Sequence, residues 1–423
     1  MTPPPPIQRT GVAGWRIWTV RGVLFLLFFC LYLKLGTSLG ATGVFPHDDA
    51  IFQADTGRAL GDLTDPGADH YRTKVHPLFV LFFNPLGSLL RHLTGSPILA
   101  GLILVSAAGA LAVVVAHGLF TRIGLDAVLS VACALLVGFS TSHLVFASLP
   151  DTFIFTALAL GICTWLAVAH PGRLRAFVPA AVFATGITST NLGPAFLLFA
   201  AGRRAGLRAC AVFLAAVLAV TVALSLTQKA AYPSSNLFFV PEAVHEDLGY
   251  VFRPGSGSEA LTRGARVLGH VAVYDLIAPK RALVKGGRRE VPGVTFQQRR
   301  PGWFRGTGWA ALALLLALYA AGLYAALRYR LFGNPLLQGI GLGLLFLAGL
   351  HYFYGDDLFL YSCSWTLLVI AGLAACLQRL CEGSPARVGI VKTAVLALVL
   401  LQIANNLGFM FTLIALYRES LPQ

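Results

Sequence analysis

The sequence predicts an all-α fold, a polytopic transmembrane helical bundle of about 11 spans, and three observations carry that expectation. Hydrophobic residues make up 57% of the 423 residues and charged residues only 12%, a balance foreign to a water-soluble chain of this length. Apolar segments of about 20 residues recur along the chain, and ionisable residues fall mostly between them. In lipid, backbone polar groups have to be satisfied within each segment, which leaves the helix as the spanning element.

Taken in order, the Pro-rich start MTPPPPIQRTGVAGWR (1–16) reads as a disordered cytoplasmic tail. The apolar run after it is too long for a signal-peptide core and no convincing cleavage site follows, so it is the first span. Arg9, Arg16 and Arg21 set the N-terminus in the cytoplasm, and the loop 41–96 is then outside. Further span-length runs lie at 97–120, 125–147, 152–170, 207–228, 307–327, 334–353, 358–378 and 393–416. Between Arg175 and Arg203 the apolar stretch is broken at Thr188-Ser189-Thr190-Asn191-Leu192-Gly193-Pro194, which predicts a hairpin of two half-spans and keeps both basic groups inside. The organisation is a transmembrane module over 17–228, a basic outer loop over 229–305 and C-terminal spans over 306–423. The seven cysteines lie mostly in apolar segments without CxxC spacing and read as small buried hydrophobes. A net charge of +14 comes from Arg and Lys at span ends and in the late loop. That pattern sets topology and suits anionic lipid headgroups, and it excludes nucleic acid as a partner.

Six of the eighteen carboxylates fall in one stretch, Asp48, Asp49, Asp55, Asp62, Asp65 and Asp69; between Asp69 and Glu242 the only acids are Asp126 and Asp151. Asp48 and Asp49 stand just beyond the first span, where charge beside apolar helices marks function. Asp62, Asp65 and Asp69 read as solvated loop and turn residues. The acids are followed by Arg58, His70, Tyr71, Arg72, Lys74 and His76, and the stretch His76 to Leu93 reads as a juxtamembrane helix at the outer surface. A carboxylate can take the proton from an acceptor hydroxyl while cations neutralise a departing lipid-linked phosphate. A donor used outside the inner membrane has to arrive linked to lipid, because nucleotide sugars are generally absent there. Asp151 in SLPDTF serves either as a helix N-terminal charge or as a second acid facing Asp48, and Asp356 with Asp357 either caps the next helix or binds a polar substrate. The late-loop residues Arg253, Arg263, Arg266, Lys280, Arg281, Lys285, Arg288 and Arg289 read as a solvated or headgroup-facing surface, or as a grip on the donor phosphate.

The order of one span, an outer loop opening with paired acids, HPLFVLFFNPLGSLL, SPILAGLILVSAAGALAVVVAHGLF and an outer acid in SLPDTFIF resembles membrane glycosyltransferases of the GT-C superfamily over roughly residues 17–210. Protein O-mannosyltransferases and the lipid A aminoarabinose transferase have a similar plan. The resemblance implies a GT-C type bundle in which Asp48 or Asp49 matches the catalytic acid and His76-Pro77 the start of the juxtamembrane segment. Asp151 then matches the acid of the second outer loop, and the Thr190-Asn191 hairpin the short paired helices. The chain departs from the pattern in having a single Pro after His76 and Asp-Asp where the mannosyltransferases have Asp-Glu.

The expected function is transfer of a sugar from a polyprenyl-phosphate donor to a hydroxyl on a glycan, lipid or protein, at the outer face of a bacterial inner membrane. Asp48 is the base, and Asp49 orients the acceptor or its partner. Asp151, Asn191, Asp356 and Asp357 are the acceptor- or metal-binding candidates. Arg58, His70, Arg72, Lys74 and His76 are the phosphate-binding candidates. If a divalent cation (Mg or Mn) is used, Asp48 and Asp151 are its candidate ligands. The competing classes are a transporter or flippase for an anionic lipid or sugar, a surface-polysaccharide polymerase or ligase, and a catalytically silent scaffold. Span interiors nearly free of charge and the lack of a fixed-period repeat lower the transporter reading.

Overall fold

A computed structural model describes residues 14–202, 206–240, 249–284, 291–297 and 303–421; residues 1–13 of the Pro-rich start, Lys285, Arg288 and Arg289 lie outside the described residues. Fifteen described α-helices run as α1 (Gly14–Gly40), α2 (Thr56–Thr64), α3 (Phe79–Thr94), α4 (Pro97–Ile123), α5 (Ala127–Gly138), α6 (Thr141–Phe146), α7 (Phe153–Ala169), α8 (Leu174–Ile187), α9 (Leu192–Ala201), α10 (Leu207–Ala231), α11 (Gly257–Gly269), α12 (Thr307–Arg328), α13 (Pro335–Phe353), α14 (Thr366–Cys381) and α15 (Pro385–Ser420). A two-stranded antiparallel ribbon, β1 (Ala282–Val284) with β2 (Gly293–Thr295), is the only sheet among them.

Six of these helices, α1, α4, α10, α12, α13 and α15, are long and apolar enough to cross a membrane, which suggests a multi-pass membrane protein. The short helix Leu358–Ser364 and α14 form a seventh span if the pair, bent by 53°, crosses as one. The expected count of about 11 took in segments that fold as shorter helices. The run 125–147 breaks after Gly138, because Ser140 caps a new helix by accepting the His143 N–H at 3.2 Å. α7 has 17 residues, and the interrupted stretch after Arg175 forms α8 and α9, of 14 and 10 residues, joined through Thr188 and a 3₁₀ turn at Ser189–Asn191.

The bundle centres on α4, which packs against α1, α5 and α7. α13 packs on α9, and α12 on α14 and α15. α3 is amphipathic and receives α2 along its buried edge. Gly87 permits that approach, since a Cβ there would overlap the Leu63 carbonyl oxygen. Beside it the Asn84 amide donates to Asp62 O at 2.9 Å.

The loop after α1 is held from the far end of the chain. Phe52 N–H donates to Val294 O at 2.9 Å, Val294 N–H to Ala50 O at 2.8 Å, and Tyr417 Oη–H to Ala50 O at 2.6 Å. The buried Phe52 ring packs against both Phe296 and Phe359, with centroids 4.6 and 4.4 Å away. Asp49, Phe52 and Gln53 all have left-handed backbones, φ 64°, 52° and 60°. Such conformations cost an L-residue on the order of 1 kcal/mol each and persist where surroundings dictate them. Arg263 closes the end of α13: its guanidinium donates to His351 O at 2.7 Å and Gly355 O at 2.6 Å, satisfying carbonyls that the helix leaves open. A residue expected on a solvated or headgroup-facing surface, or as a grip on phosphate, is thus buried as a helix cap.

Gly87→Ala should force α2 off α3 and destabilise the protein by roughly 1–3 kcal/mol. A thermal melt of the purified, detergent-solubilised variant measures this.

Candidate functional site

A cavity of about 250 Å³ lies where the ends of α2, α3, α7, α8 and α13 meet, lined among others by Asp55, Arg58, Arg72, His76, Asp151, Thr188, His351, Tyr354 and Tyr361. Backbone bonds fasten its walls. Leu78 N–H donates to Gly186 O at 2.8 Å and Ser189 N–H to Val75 O at 3.0 Å, which pins the α8–α9 tip to the loop before α3. Asn191 braces that tip from behind, donating to Ala184 O at 3.0 Å and Thr156 Oγ1 at 3.2 Å. The opposite wall is His351 stacked on Tyr361, centroids 4.0 Å apart and 23° between planes.

Arg58 organises the charged side. It lies on α2 with a side chain only 10% exposed, Nε 3.0 Å from Asp55 Oδ2 and Nη1 2.6 Å from Asp62 Oδ2. The spacings i−3 and i+4 place both acids on the face of α2 that carries Arg58. Burial by itself would lower the Arg58 pKa; Asp62, Asp55 and Asp151 outweigh it and raise it. Asp62 turns its other oxygen to His70 Nδ1 at 2.8 Å. Asp62 was expected in solvent, yet it is buried and carries two partners, because α2 turns its polar face inward against α3 and the loop that follows.

Asp151 is 1% exposed and precedes α7. One carboxylate oxygen accepts from the Thr152 N–H and, at 3.2 Å, from Thr152 Oγ1; the other is buried without a hydrogen-bond partner among the described residues. Burial pushes its pKa up to about 7, while Arg58 acts against the shift. A buried polar atom left unpaired is costly, so one aimed into a cavity marks a place for a ligand group. His76 holds Ile187 O through Nδ1 at 2.8 Å, and burial together with Arg58 and Arg72 lowers its pKa to about 3. At neutral pH it therefore offers the cavity a ring nitrogen and no positive charge.

The sequence candidates divide between the cavity and its supports. Arg58, Arg72, His76 and Asp151 line it; His70 and Lys74 are buried and are not among the lining residues. Asp48 Oδ1 accepts the Gly57 N–H at 2.8 Å, capping α2 in place of Asp55, whose side chain makes no cap bond. Asp49 is exposed on the same loop. Asp357 caps the helix after it through the Phe359 N–H at 3.0 Å, and burial raises its pKa to about 6; Asp356 is exposed and faces a separate groove. Asp55, Gln53, His351, Tyr354 and Tyr361 are lining residues absent from the sequence-derived set. Asp55 could have been found from its spacing to Arg58. Among the described residues no group of three or more His, Cys, Asp or Glu stands together as a metal cluster, and Asp55 with Asp151 are the two carboxylates facing the cavity.

No family model matches the chain, and no curated protein does. A solved structure similar to it is the archaeal oligosaccharyltransferase AglB from Archaeoglobus fulgidus in complex with an inhibitory peptide and a dolichol-phosphate, at 15% identity and a TM-score of 0.44. The match covers 90% of this chain and 56% of that one, so the chain spans about half the length of AglB.

Chemically, the cavity pairs a carboxylate poised to take or give a proton near neutral pH with two guanidinium groups suited to a phosphate. Two measurements check the electrostatics. The folded state keeps the Asp151 proton between about pH 4 and pH 7 while the unfolded chain loses it, so this group makes stability fall as pH rises through that window. Asp151→Asn should remove that slope in melts recorded from pH 4 to 8. Arg58→Met leaves Asp55 and Asp62 without their cation and should cost roughly 3–5 kcal/mol, read as a lowered melting temperature.

Proposed function

We propose that the protein is an integral membrane glycosyltransferase that moves a sugar from a polyprenyl-phosphate-linked donor to a hydroxyl acceptor at the outer face of the membrane. The observation that carries this reading is the unpaired Asp151 oxygen in one cavity with Arg58 and Arg72. The motif order that resembles membrane glycosyltransferases points to the same chemistry.

In this reading Asp151 takes the proton of the acceptor hydroxyl. The freed oxygen forms the bond to the anomeric carbon as the bond from that carbon to the phosphate oxygen breaks, and the bonding pair leaves with the phosphate. Arg58 and Arg72 balance the charge that collects there, which lowers the barrier to the extent that they are already oriented. Asp151 takes the role that motif order assigned to Asp48, since Asp48 is occupied at the start of α2. Asp55 holds Arg58 in place and faces the same space. His76, uncharged, accepts a hydroxyl from sugar or acceptor without adding charge near the phosphate. His351 and Tyr361 stack on each other and both line the cavity, where they offer a sugar ring an aromatic wall. Mg²⁺ commonly binds through one or two carboxylates with water and phosphate completing its shell, and Asp55 and Asp151 would be its protein ligands here.

The test uses purified protein with decaprenyl-phosphate hexoses and pentoses and follows release of decaprenyl phosphate together with sugar transfer. Asp151→Asn should lower kcat by about 10²–10⁴-fold while the thermal melt shows a folded protein. Arg72→Gln should chiefly raise KM for the donor. Full activity of Asp151→Asn would overturn the assignment.

A further inference from the structure

The loop before α2 supplies the cavity with one side chain whose orientation the hydrogen bonding settles. Ala50, Ile51, Phe52 and Ala54 are buried, and Gln53 alone in that stretch stays partly accessible and lines the cavity. Phe52 and Gln53 are consecutive left-handed residues, φ 52° and 60°. Neither is a glycine, so the turn that buries the Phe52 ring and leaves Gln53 at the cavity is kept against the intrinsic preference of both residues. Strain held at a residue that faces a ligand-sized space points to a use for its side chain.

The Gln53 amide is fixed at one end. Its Oε1 accepts the Asp357 N–H at 2.9 Å, a bond between the loop before α2 and the turn that follows α13. A backbone N–H can only donate, so the oxygen is the atom on the Asp357 side and the NH₂ group is the other one. Nε2 makes no hydrogen bond among the described residues and is not buried, which leaves its N–H groups to the cavity. Asp357 is held in turn, 3% exposed with its carboxylate accepting the Phe359 N–H at 3.0 Å. The cavity residues Tyr354, Leu360 and Tyr361 flank it in sequence, so Gln53 stands where the α2 side of the cavity meets the aromatic wall.

We propose that Gln53 is a specificity-determining residue of the cavity, its amide NH₂ donating to one hydroxyl oxygen of the sugar being transferred. This rests on the sugar-transfer reading of the cavity. An amide whose oxygen is already taken offers donors only, so what it meets is an acceptor lone pair. The phosphate has Arg58 and Arg72 in the same cavity, and a charged donor holds an anion more strongly than a neutral amide does. A hydroxyl is the partner for which a neutral donor decides orientation. Because the carbonyl end is anchored to backbone, the donor is placed before the sugar arrives and little side-chain freedom is lost on binding. A sugar that lacks this hydroxyl leaves the donor without its partner, and a site built to hydrogen-bond a substrate hydroxyl rejects such an analogue more sharply than an apolar site does.

The experiment uses purified, detergent-solubilised protein, finds the best-used sugar among decaprenyl-phosphate glucose, mannose, galactose and arabinose, and compares kcat/KM for that donor and its single-deoxy analogues. The wild type should discriminate against one analogue by about tenfold or more. Gln53→Glu keeps an oxygen for the Asp357 N–H and replaces the NH₂ by a second oxygen. It should melt like the wild type and use that analogue and the parent sugar within about twofold of each other, with discrimination against the remaining analogues unchanged. Repulsion between the new charge and the phosphate falls on every donor alike and cancels in the ratio. Gln53→Met, of similar length without charge or donor, should lose the same discrimination and serves if Gln53→Glu does not fold. Equal use of every analogue by the wild type, or discrimination kept in full by a folded variant, would overturn the proposal and leave the sugar-transfer reading in place. Release of decaprenyl phosphate from none of the donors by the wild type would overturn that reading and this proposal with it.

Discussion

Arg58 carries a permanent charge into a place almost closed to water, and the surrounding structure is arranged around that fact. A lone guanidinium there would be strongly disfavoured, so α2 brings Asp55 and Asp62 to it from the same helix face. Asp62 is then itself a buried anion and draws in His70, while its carbonyl accepts from Asn84 of α3. The close approach of α2 and α3 at Gly87 follows, since the pair cannot remain buried if the helices separate. One charge thus fixes the position of a short helix whose apolar content alone would not hold it in place.

The loop before α2 tolerates strain for a separate reason. Three non-glycine residues within five positions adopt left-handed backbones, and the chain keeps them because Val294, Tyr417 and the Phe296–Phe359 ring pair grip the loop from sequence-distant elements. The basic loop after α10 is therefore part of the cavity's frame. Arg263 makes the point at another wall: by satisfying the end of α13 it sets where Tyr354 and His351 stand.

Much of this was visible in the residues. Apolar runs located the helices, the polar tip at Thr188–Asn191 located the break between α8 and α9, and the density of acids located the loop that furnishes one side of the cavity. Periodicity could not say which acids face inward. Asp48 and Asp55 both stand before an amphipathic helix, and a string of letters does not show that the farther one caps it and the nearer one faces the cavity. His76 reads as a cation beside Arg72 and Lys74, yet burial beside two arginines removes its charge, an effect of three-dimensional surroundings. Arg263 and Asp62 were misplaced for the same reason: surface and core are indistinguishable for a charged residue until its partners are known.

Two of the cavity's titratable groups, Asp151 and His76, are shifted by burial and by Arg58. Asp151, its pKa pushed up to about 7, is balanced between burial, which favours the acid, and Arg58, which favours the carboxylate. A phosphate entering between Arg58 and Arg72 takes up part of that positive charge and adds negative charge of its own, so it moves Asp151 toward the protonated form. A base has to be ionised when the acceptor hydroxyl reaches it. On the proposed function, donor and acceptor would therefore be antagonistic through this one proton, unless the second guanidinium neutralises the phosphate locally. Arg72 is placed to do that, and His76, held neutral, leaves the balance to the two arginines. On the proposed function, the arrangement would separate the work of holding the phosphate from the work of removing the proton, which a cavity with a single cation could not do.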